Sequence, residues 1–242
     1  MIMNLSDPSM AVTSTLDGPV LIVLADAGKP LTVSEVAGNS VRGSEIGIRK
    51  SLGRLVSQGI VTATEFGNTR VYSLNREHVA AGVALELARL RSVLWQRTAR
   101  EVERWSVRPL YACVFGSAAR HEGDSNSDID LLLVRPSTIA EVNDARKSKS
   151  VMAALGLWAE VIATRVMSDA QIKKWDSNVD GLHDIVRRWT GNPLQVVSIS
   201  AIEWSEHRRA KSTIYQNIRQ DEIRLYDELG PMIYKYSKGQ VG

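Results

Sequence analysis

Residues 111–136 read Tyr-Ala-Cys-Val-Phe-Gly-Ser-Ala-Ala-Arg-His-Glu-Gly-Asp-Ser-Asn-Ser-Asp-Ile-Asp-Leu-Leu-Leu-Val-Arg-Pro, and this stretch decides the fold. An apolar strand from Tyr111 to Phe115 runs into a tight Gly116-Ser117 turn, and a second apolar strand is opened by Asp128 and Asp130. Side chains alternate across a strand, so both carboxylates project from one face while Ile129 and Leu131 point into a core. Two carboxylates side by side repel unless a positive charge lies between them. A divalent cation is the simplest such charge, and hard oxygen ligands beside a phosphate suit Mg²⁺ or Mn²⁺. Gly116 and Ser117 stand where a helix would begin. Free backbone N–H groups and the Ser117 hydroxyl suit a phosphate there.

Ten residues, Arg120 among them, separate Ser117 from Asp128. Gly-Ser, this spacer and Ser127-Asp-Ile-Asp-Leu-Leu-Leu-Val together resemble the signature of the DNA polymerase β-like nucleotidyltransferase superfamily, in its minimal form. The resemblance implies transfer of NMP from an NTP to an acceptor hydroxyl on a protein, an RNA or a small molecule, by two-metal phosphoryl transfer. It makes Asp128 and Asp130 the metal ligands and catalytic acids, and Gly116, Ser117, Arg120 and Ser127 the nucleotide-binding residues. His121 departs from the pattern, since small members carry Gly after the Arg.

The superfamily adds a third carboxylate from a later strand, and two positions compete for it. Glu160 lies in the apolar run Leu157–Thr164, where a buried Glu needs a partner and a metal would supply one. It is the expected catalytic base. The block Arg-Arg-Trp-Thr-Gly-Asn-Pro-Leu-Gln-Val-Val instead resembles the third strand of a group of bacterial winged-helix nucleotidyltransferases, which puts Gln195 in that place. A Gln is neither a base nor a good ligand. With it, the chain reads as a DNA-binding regulator whose transferase domain senses nucleotide without turnover. Both alternatives stay open at this point.

Outward from this core, the chain reads as α+β: an N-terminal winged helix-turn-helix, a long linker helix, a nucleotidyltransferase-fold α/β core with a mixed sheet, and a C-terminal helix. Residues 1–17 mix Ser, Thr, Asp and Pro as a flexible tail. In 18–75, Val20, Leu21, Val23 and Leu24 form a helix, Ser34 is placed to cap a second, and a third runs from about Ser44 to Gln58. Two β-rich runs joined by Gly67-Asn68 follow as a hairpin. The third helix buries Ile48, Leu52, Leu55 and Val56, which leaves Arg42, Ser44, Glu45, Arg49, Lys50 and Arg54 outside. Four cations against one acid suit duplex DNA, with Arg70 on the wing as a further contact.

Residues 76–106 form the linker, with Val79, Val83, Leu87, Leu90, Leu94 and Trp95 at three- and four-residue steps and a homodimer as the expected assembly. Its alternating Arg and Glu read as a solvated face. The core spans 107–200, with a helix Asp169–Thr190 stopped by Gly191-Asn192-Pro193 and a strand Leu194–Ile199, and 201–242 is a helical region. A winged helix fused to such a core fits a self-regulating operon of toxin–antitoxin or defence type.

Composition sets the outer bounds. At 242 residues, 44% hydrophobic and 24% charged, the chain has material for two modest cores. No apolar run is long enough to span a membrane, and Met1–Gly18 lacks a secretory pattern, so a cytoplasmic protein is expected. The single Cys113 permits no internal disulfide and sits inside the first strand as a core residue. His78, His183 and His207 have no Cys or His at ligand spacing, which argues against zinc.

Overall fold

The computed structural model describes residues 2–125, 127–148, 151, 162 and 165–228, and the chain divides into two compact units, Met3–Leu94 and Trp95 onward. In the first unit, helices α1 (Asp17–Asp26), α2 (Val33–Asn39) and α3 (Glu45–Ser57) accompany strands β1 (Leu31–Thr32), β2 (Val61–Phe66) and β3 (Thr69–Leu74). The strands form one antiparallel sheet in the order β1-β3-β2, and Gly67 turns the β2–β3 hairpin at φ +59°. Ile48, Leu52 and Leu55 recur at helical spacing on α3 and pack against Val20, Leu24 and Val36. Each such burial contributes about 1.5–3 kcal/mol.

Two expectations for this unit need correction. The cap of α2 is Thr32 rather than Ser34. Its hydroxyl accepts from the Glu35 N–H while the Glu35 carboxylate accepts from the Thr32 N–H, a reciprocal pair that starts the helix earlier. Residues 1–17 are also not a loose tail throughout, because Leu5, Asp7 and Ser9 are buried. A buried carboxylate requires partners. Asp7 has them in Arg42 Nε at 2.6 Å and the Ser9 hydroxyl, while Arg91 donates to the carbonyls of Leu5 and Ser6.

Helix α4 (Ala81–Glu103) carries the chain from the first unit into the second. It is shorter than the expected 76–106 at both ends. Leu87, Leu94 and Trp95 are buried as expected, but Val79 and Val83 are 96% and 61% exposed, and Ala81, Ala84 and Val102 complete the buried stripe. At the start of the helix the two valines satisfy the spacing, but Ala81 and Ala84 satisfy the packing.

The second unit is built on a four-stranded mixed sheet in the order β8-β5-β4-β9. Strand β4 (Tyr111–Phe115) pairs antiparallel with β5 (Ile129–Arg135) and with β9 (Ile223–Asp227), and β8 (Leu194–Ser200) runs parallel to β5. A short parallel pair, β6 (Ser137–Thr138) with β7 (Val166–Met167), stands apart. Leu131 through Val134 are fully buried, which explains why β5 reads as a continuous apolar run rather than an alternating one. On one face, Cys113, Leu132 and Val134 join Ile199, Trp204 and Ile218 beneath α6 (Ile139–Lys147), α8 (Ala201–Ala210) and α9 (Thr213–Asp221). On the other, Trp175 of α7 (Asp169–Thr190) donates to Ser198 Oγ at 3.0 Å and meets Trp105 edge-on. Gly191, left-handed at φ +78°, ends α7 as its position predicted.

The region 201–242 is not helical throughout. Lys211 at φ +46° separates α8 from α9, and Ile223–Asp227 form β9 on the free edge of β4. Their alternation of apolar and charged residues fits a pleated strand better than a helix face. Cys113 is buried as expected, and burial pushes its thiol up to about 12, well away from a reactive thiolate.

Candidate functional site

Strand β4 ends at Phe115, and the chain turns at Gly116 with φ +70° into the single-turn helix α5 (Gly116–Ala119). A side chain is strained at that φ, and a Cβ there would lie 2.4 Å from Asp130 Oδ2. Glycine is therefore required twice, once by the turn and once because the Asp130 carboxylate lies directly against the backbone. The Ser117 carbonyl accepts from the N–H groups of Glu122 and Gly123, which closes the following loop on itself. The Ser117 hydroxyl has no partner among the described residues. His121 adopts φ +66°, a conformation natural to the Gly that the family pattern carries there.

The approach to the aspartates is tied down locally. Ser127 Oγ accepts from the Asp124 N–H at 2.9 Å and donates to the Asp124 carboxylate at 3.0 Å. The buried Asn192 donates from Nδ2 to the Ser127 carbonyl at 3.1 Å, and the Ile129 N–H donates to the Pro193 carbonyl at 2.9 Å. The turn before β8 thus fastens the turn before β5. In the sequence Asn192 belongs to the helix stop Gly191-Asn192-Pro193 and to the block that leads into Gln195, and its role as a clamp has no signal there.

Asp128 and Asp130 are both half-exposed, while Ile129 between them and Leu131 beyond are buried. The two carboxylates share one face. Burial, and then the neighbouring Asp128 charge, hold the Asp130 carboxyl above its ordinary value, with Arg120 partly offsetting them. Arg120 is the nearby cation, but it is engaged: Nε donates to Glu122 at 2.8 Å and Nη1 to Asp221 at 2.5 Å. Asp221, the last residue of α9, was not anticipated, and nothing local in the sequence marks it.

Gln195 pairs in register with Asp130 across the parallel β5–β8 ladder, and its Nε2 donates to Asp128 Oδ2 at 3.3 Å. A neutral amide donor thus solvates one carboxylate of the acidic pair without cancelling its charge. Glu160, the other candidate, lies outside the described residues. Among the described residues no group of three potential metal ligands of His, Cys, Asp or Glu type comes together. The donors at hand are two carboxylates, with the Gln195 side chain beside them.

In the first unit, most cations expected at DNA have acids of their own. Arg42 is held by Asp7 and the carbonyls of Ser14 and Thr15. Arg49 pairs with Glu45 at 3.0 Å, Arg54 with Asp17 at 2.5 Å, and Arg70 with Glu65 at 3.7 Å. Ser44 caps α3 by accepting from the Gly47 N–H. Lys50 is exposed and has no partner among the described residues.

No curated protein matches the chain. Among solved structures, human N-acetylserotonin methyltransferase in complex with SAM shows a likeness of 22% identity and TM-score 0.25, over 41% of this chain and 32% of that one. The chain spans about a third of that structure's length, and so slight a likeness does not speak for a shared fold. Residues 97–211 match the family described as nucleotidyltransferase domain, a span that contains the Gly116 turn, both aspartates and Gln195. That match supports the nucleotidyltransferase superfamily for the part of the chain that carries the acidic pair.

Proposed function

We propose that this protein transfers a nucleoside monophosphate from an NTP to an acceptor hydroxyl, with Asp128 and Asp130 holding Mg²⁺. One observation carries the reading: two carboxylates share a strand face, and Asp130 is backed against a glycine turn that leaves room for nothing larger. The donor set fits a hard divalent cation, which when bound would neutralise the triphosphate and polarise its α-phosphate. The chain's own residues supply the rest. The Ser117 hydroxyl, unpartnered among the described residues, and the N–H groups after Gly116 would hold the outer phosphates, Ser127 fixes the turn, and Arg120 would lend positive charge once it leaves Glu122 or Asp221. The acceptor oxygen forms a bond to the α-phosphorus as the bond to the β-phosphate oxygen breaks, and pyrophosphate leaves. The expected base, Glu160, lies outside the described residues.

The test incubates each of the four NTPs, labelled in the α-phosphate, with Mg²⁺ and cell lysate, and follows pyrophosphate release. Transfer of label to a macromolecule or small acceptor is the expected result. NTP binding with no transfer to any acceptor would favour a second reading, that of a nucleotide sensor. Gln195 in register with Asp130 is the observation that supports this alternative, since an amide there supplies neither a base nor an anionic ligand.

We further read the first unit as a winged helix that binds duplex DNA through α3 and the β2–β3 hairpin. Its element order, three helices and then a hairpin, supports this reading, as does the exposed Lys50. Electrophoretic shift of the protein's own promoter fragment tests it.

A further inference from the structure

The end of α4 carries cations that neither reading uses. Arg100, Glu103 and Arg104 of α4, Arg108 of the following loop and Tyr226 of β9 line a shallow cleft. Three guanidinium groups against one carboxylate leave a net charge of +2. Several arginines of this unit are matched to acids, as Arg120, Arg135, Arg165, Arg219 and Arg224 each stand within ion-pair distance of an Asp or Glu. The cleft instead gathers three arginines with little or no such matching. Arg100 and Arg108 are exposed with no partner among the described residues, and Arg104 reaches Glu101 only at 3.8 Å, with its side chain 76% exposed.

The negative end of the α4 dipole accounts for a cation in the last turn. It does not account for Arg108, which lies beyond the helix, or for an aromatic ring set among the three. Tyr226 pairs with Ala112 in the sheet, so its position is set by a strand rather than by a loop. The forked donors of arginine match phosphate oxygens and stack on planar groups, which a lysine does less well. Cations along an open groove beside an aromatic ring are the combination that holds a phosphodiester strand with its bases unstacked. A duplex, with its bases paired, has none to lay on Tyr226. An acidic peptide would satisfy the arginines but leave the ring without purpose.

The cleft is not the nucleotide site. Tyr226 lies beside Ala112, four residues before Gly116 on β4, or about 13 Å along the strand at about 3.3 Å per residue. Tyr226 also shares its sheet face with Ala112, whereas Cys113 and Leu132 mark the face of the aspartates. We propose that this cleft binds single-stranded nucleic acid, with Arg100, Arg104 and Arg108 on the phosphates and one base on Tyr226.

The test measures fluorescence anisotropy of the full chain with labelled RNA and DNA single strands of about 12 nucleotides, a length such grooves accommodate. Wild type is expected to bind at least one of them, with affinity that falls between about 50 and 200 mM salt. The combined variant Arg100→Gln, Arg104→Gln, Arg108→Gln should bind roughly tenfold or more weakly and lose about two from the log–log salt slope, at about 0.7 per single-strand phosphate. Tyr226→Ala should weaken binding roughly five- to hundredfold, and Tyr226→Phe should restore it. These single-residue variants decide the matter even where the triple variant does not fold. A wild type that binds neither strand overturns the proposal. So does a triple variant with unchanged affinity and slope, a loss confined to duplex DNA, or an acidic peptide of equal charge that competes as well as the oligonucleotide.

Discussion

The acidic turn at Gly116–Asp130 and the basic helix α3 treat charge in opposite ways. At the turn, two carboxylates are pressed together on one strand face, and the nearest cation, Arg120, is already divided between Glu122 and Asp221. On α3, Arg49 and Arg54 pair with Glu45 and Asp17, and Arg42 nearby pairs with Asp7. Unmatched like charges raise the energy of the folded state and mark a place where something from outside is to bind. Matched charges lower the folded state's energy slightly and leave little field to attract a partner. Counting cations on a helix therefore says less than asking which of them lack an acid, and in α3 the answer narrows, among the described residues, to Lys50.

The largest effect expected from this contrast comes from removing the unmatched charge. Asp128→Asn with Asp130→Asn should abolish Mg²⁺-dependent NTP binding by calorimetry, a loss of at least about a hundredfold if the ion is held by these two carboxylates. Without metal the same variant should melt higher at neutral pH. The sign follows from Asp130: its carboxyl titrates above the ordinary range when folded, so the folded state loses stability as pH rises from the ordinary carboxylate value through the raised one. Asparagine lacks that loss. The gain should shrink as pH falls and be absent below the ordinary carboxylate range. A double variant that keeps metal-dependent NTP affinity breaks the comparison at its acidic end.

Gly116→Ala probes the same site by shape alone. The added Cβ meets Asp130 Oδ2 at 2.4 Å and the residue is strained at φ +70°, so the variant should lose about 1–3 kcal/mol by denaturant titration. Its metal-dependent binding should fall with Asp130 displaced. An alanine variant as stable as wild type, with unchanged metal binding, would mean that Asp130 has another place to go.

Much of this contrast was legible in the sequence, and the part that was not has a common cause. Alternation along Asp128-Ile129-Asp130-Leu131 gave the shared face, and Gly-Ser at its distance gave the turn, because both are local properties of the backbone. Helix α7 and its Gly191 stop were legible for the same reason. Partners distant in the chain were not. Asp7 with Arg42, Asp17 with Arg54 and Asp221 with Arg120 are separated by 35, 37 and 101 residues, and no local pattern announces them. The choice of Gln195 for the position beside Asp130 likewise rests on strand register, which one sequence leaves open. Strand β9 was missed because five residues after a helix carry too short an alternation to outweigh the helical run before them.

Gln195 offers a finer adjustment of the acidic end. Its amide donates to Asp128, so Gln195→Glu replaces a weak hydrogen bond with a third negative charge. Metal-free stability should fall modestly, and Mg²⁺ or Mn²⁺ affinity should rise roughly tenfold, the scale of one added carboxylate ligand partly offset by its repulsion. Metal affinity unchanged or lowered in the glutamate variant would mean that the strand pairing does not bring residue 195 to the ion.

The smallest effects belong to α3, and they test whether matched charges are as silent as the comparison holds. Lys50→Ala removes the one α3 cation with no acid beside it among the described residues, and promoter DNA should bind roughly five- to tenfold more weakly, as for one lost phosphate contact, with the salt slope reduced by about 0.9. Arg49→Ala removes a charge that Glu45 already holds at 3.0 Å, so its effect should be smaller, about twofold. Glu45→Gln then becomes the discriminating variant. If the ion pair keeps Arg49 from the phosphates, neutralising Glu45 should release it and tighten binding, and the further change Arg49→Ala should now cost as much as Lys50→Ala. Equal losses from Arg49→Ala and Lys50→Ala in the presence of Glu45 would show that the pair opens on contact with DNA, and that an exposed ion pair is no guide to which cation does the binding.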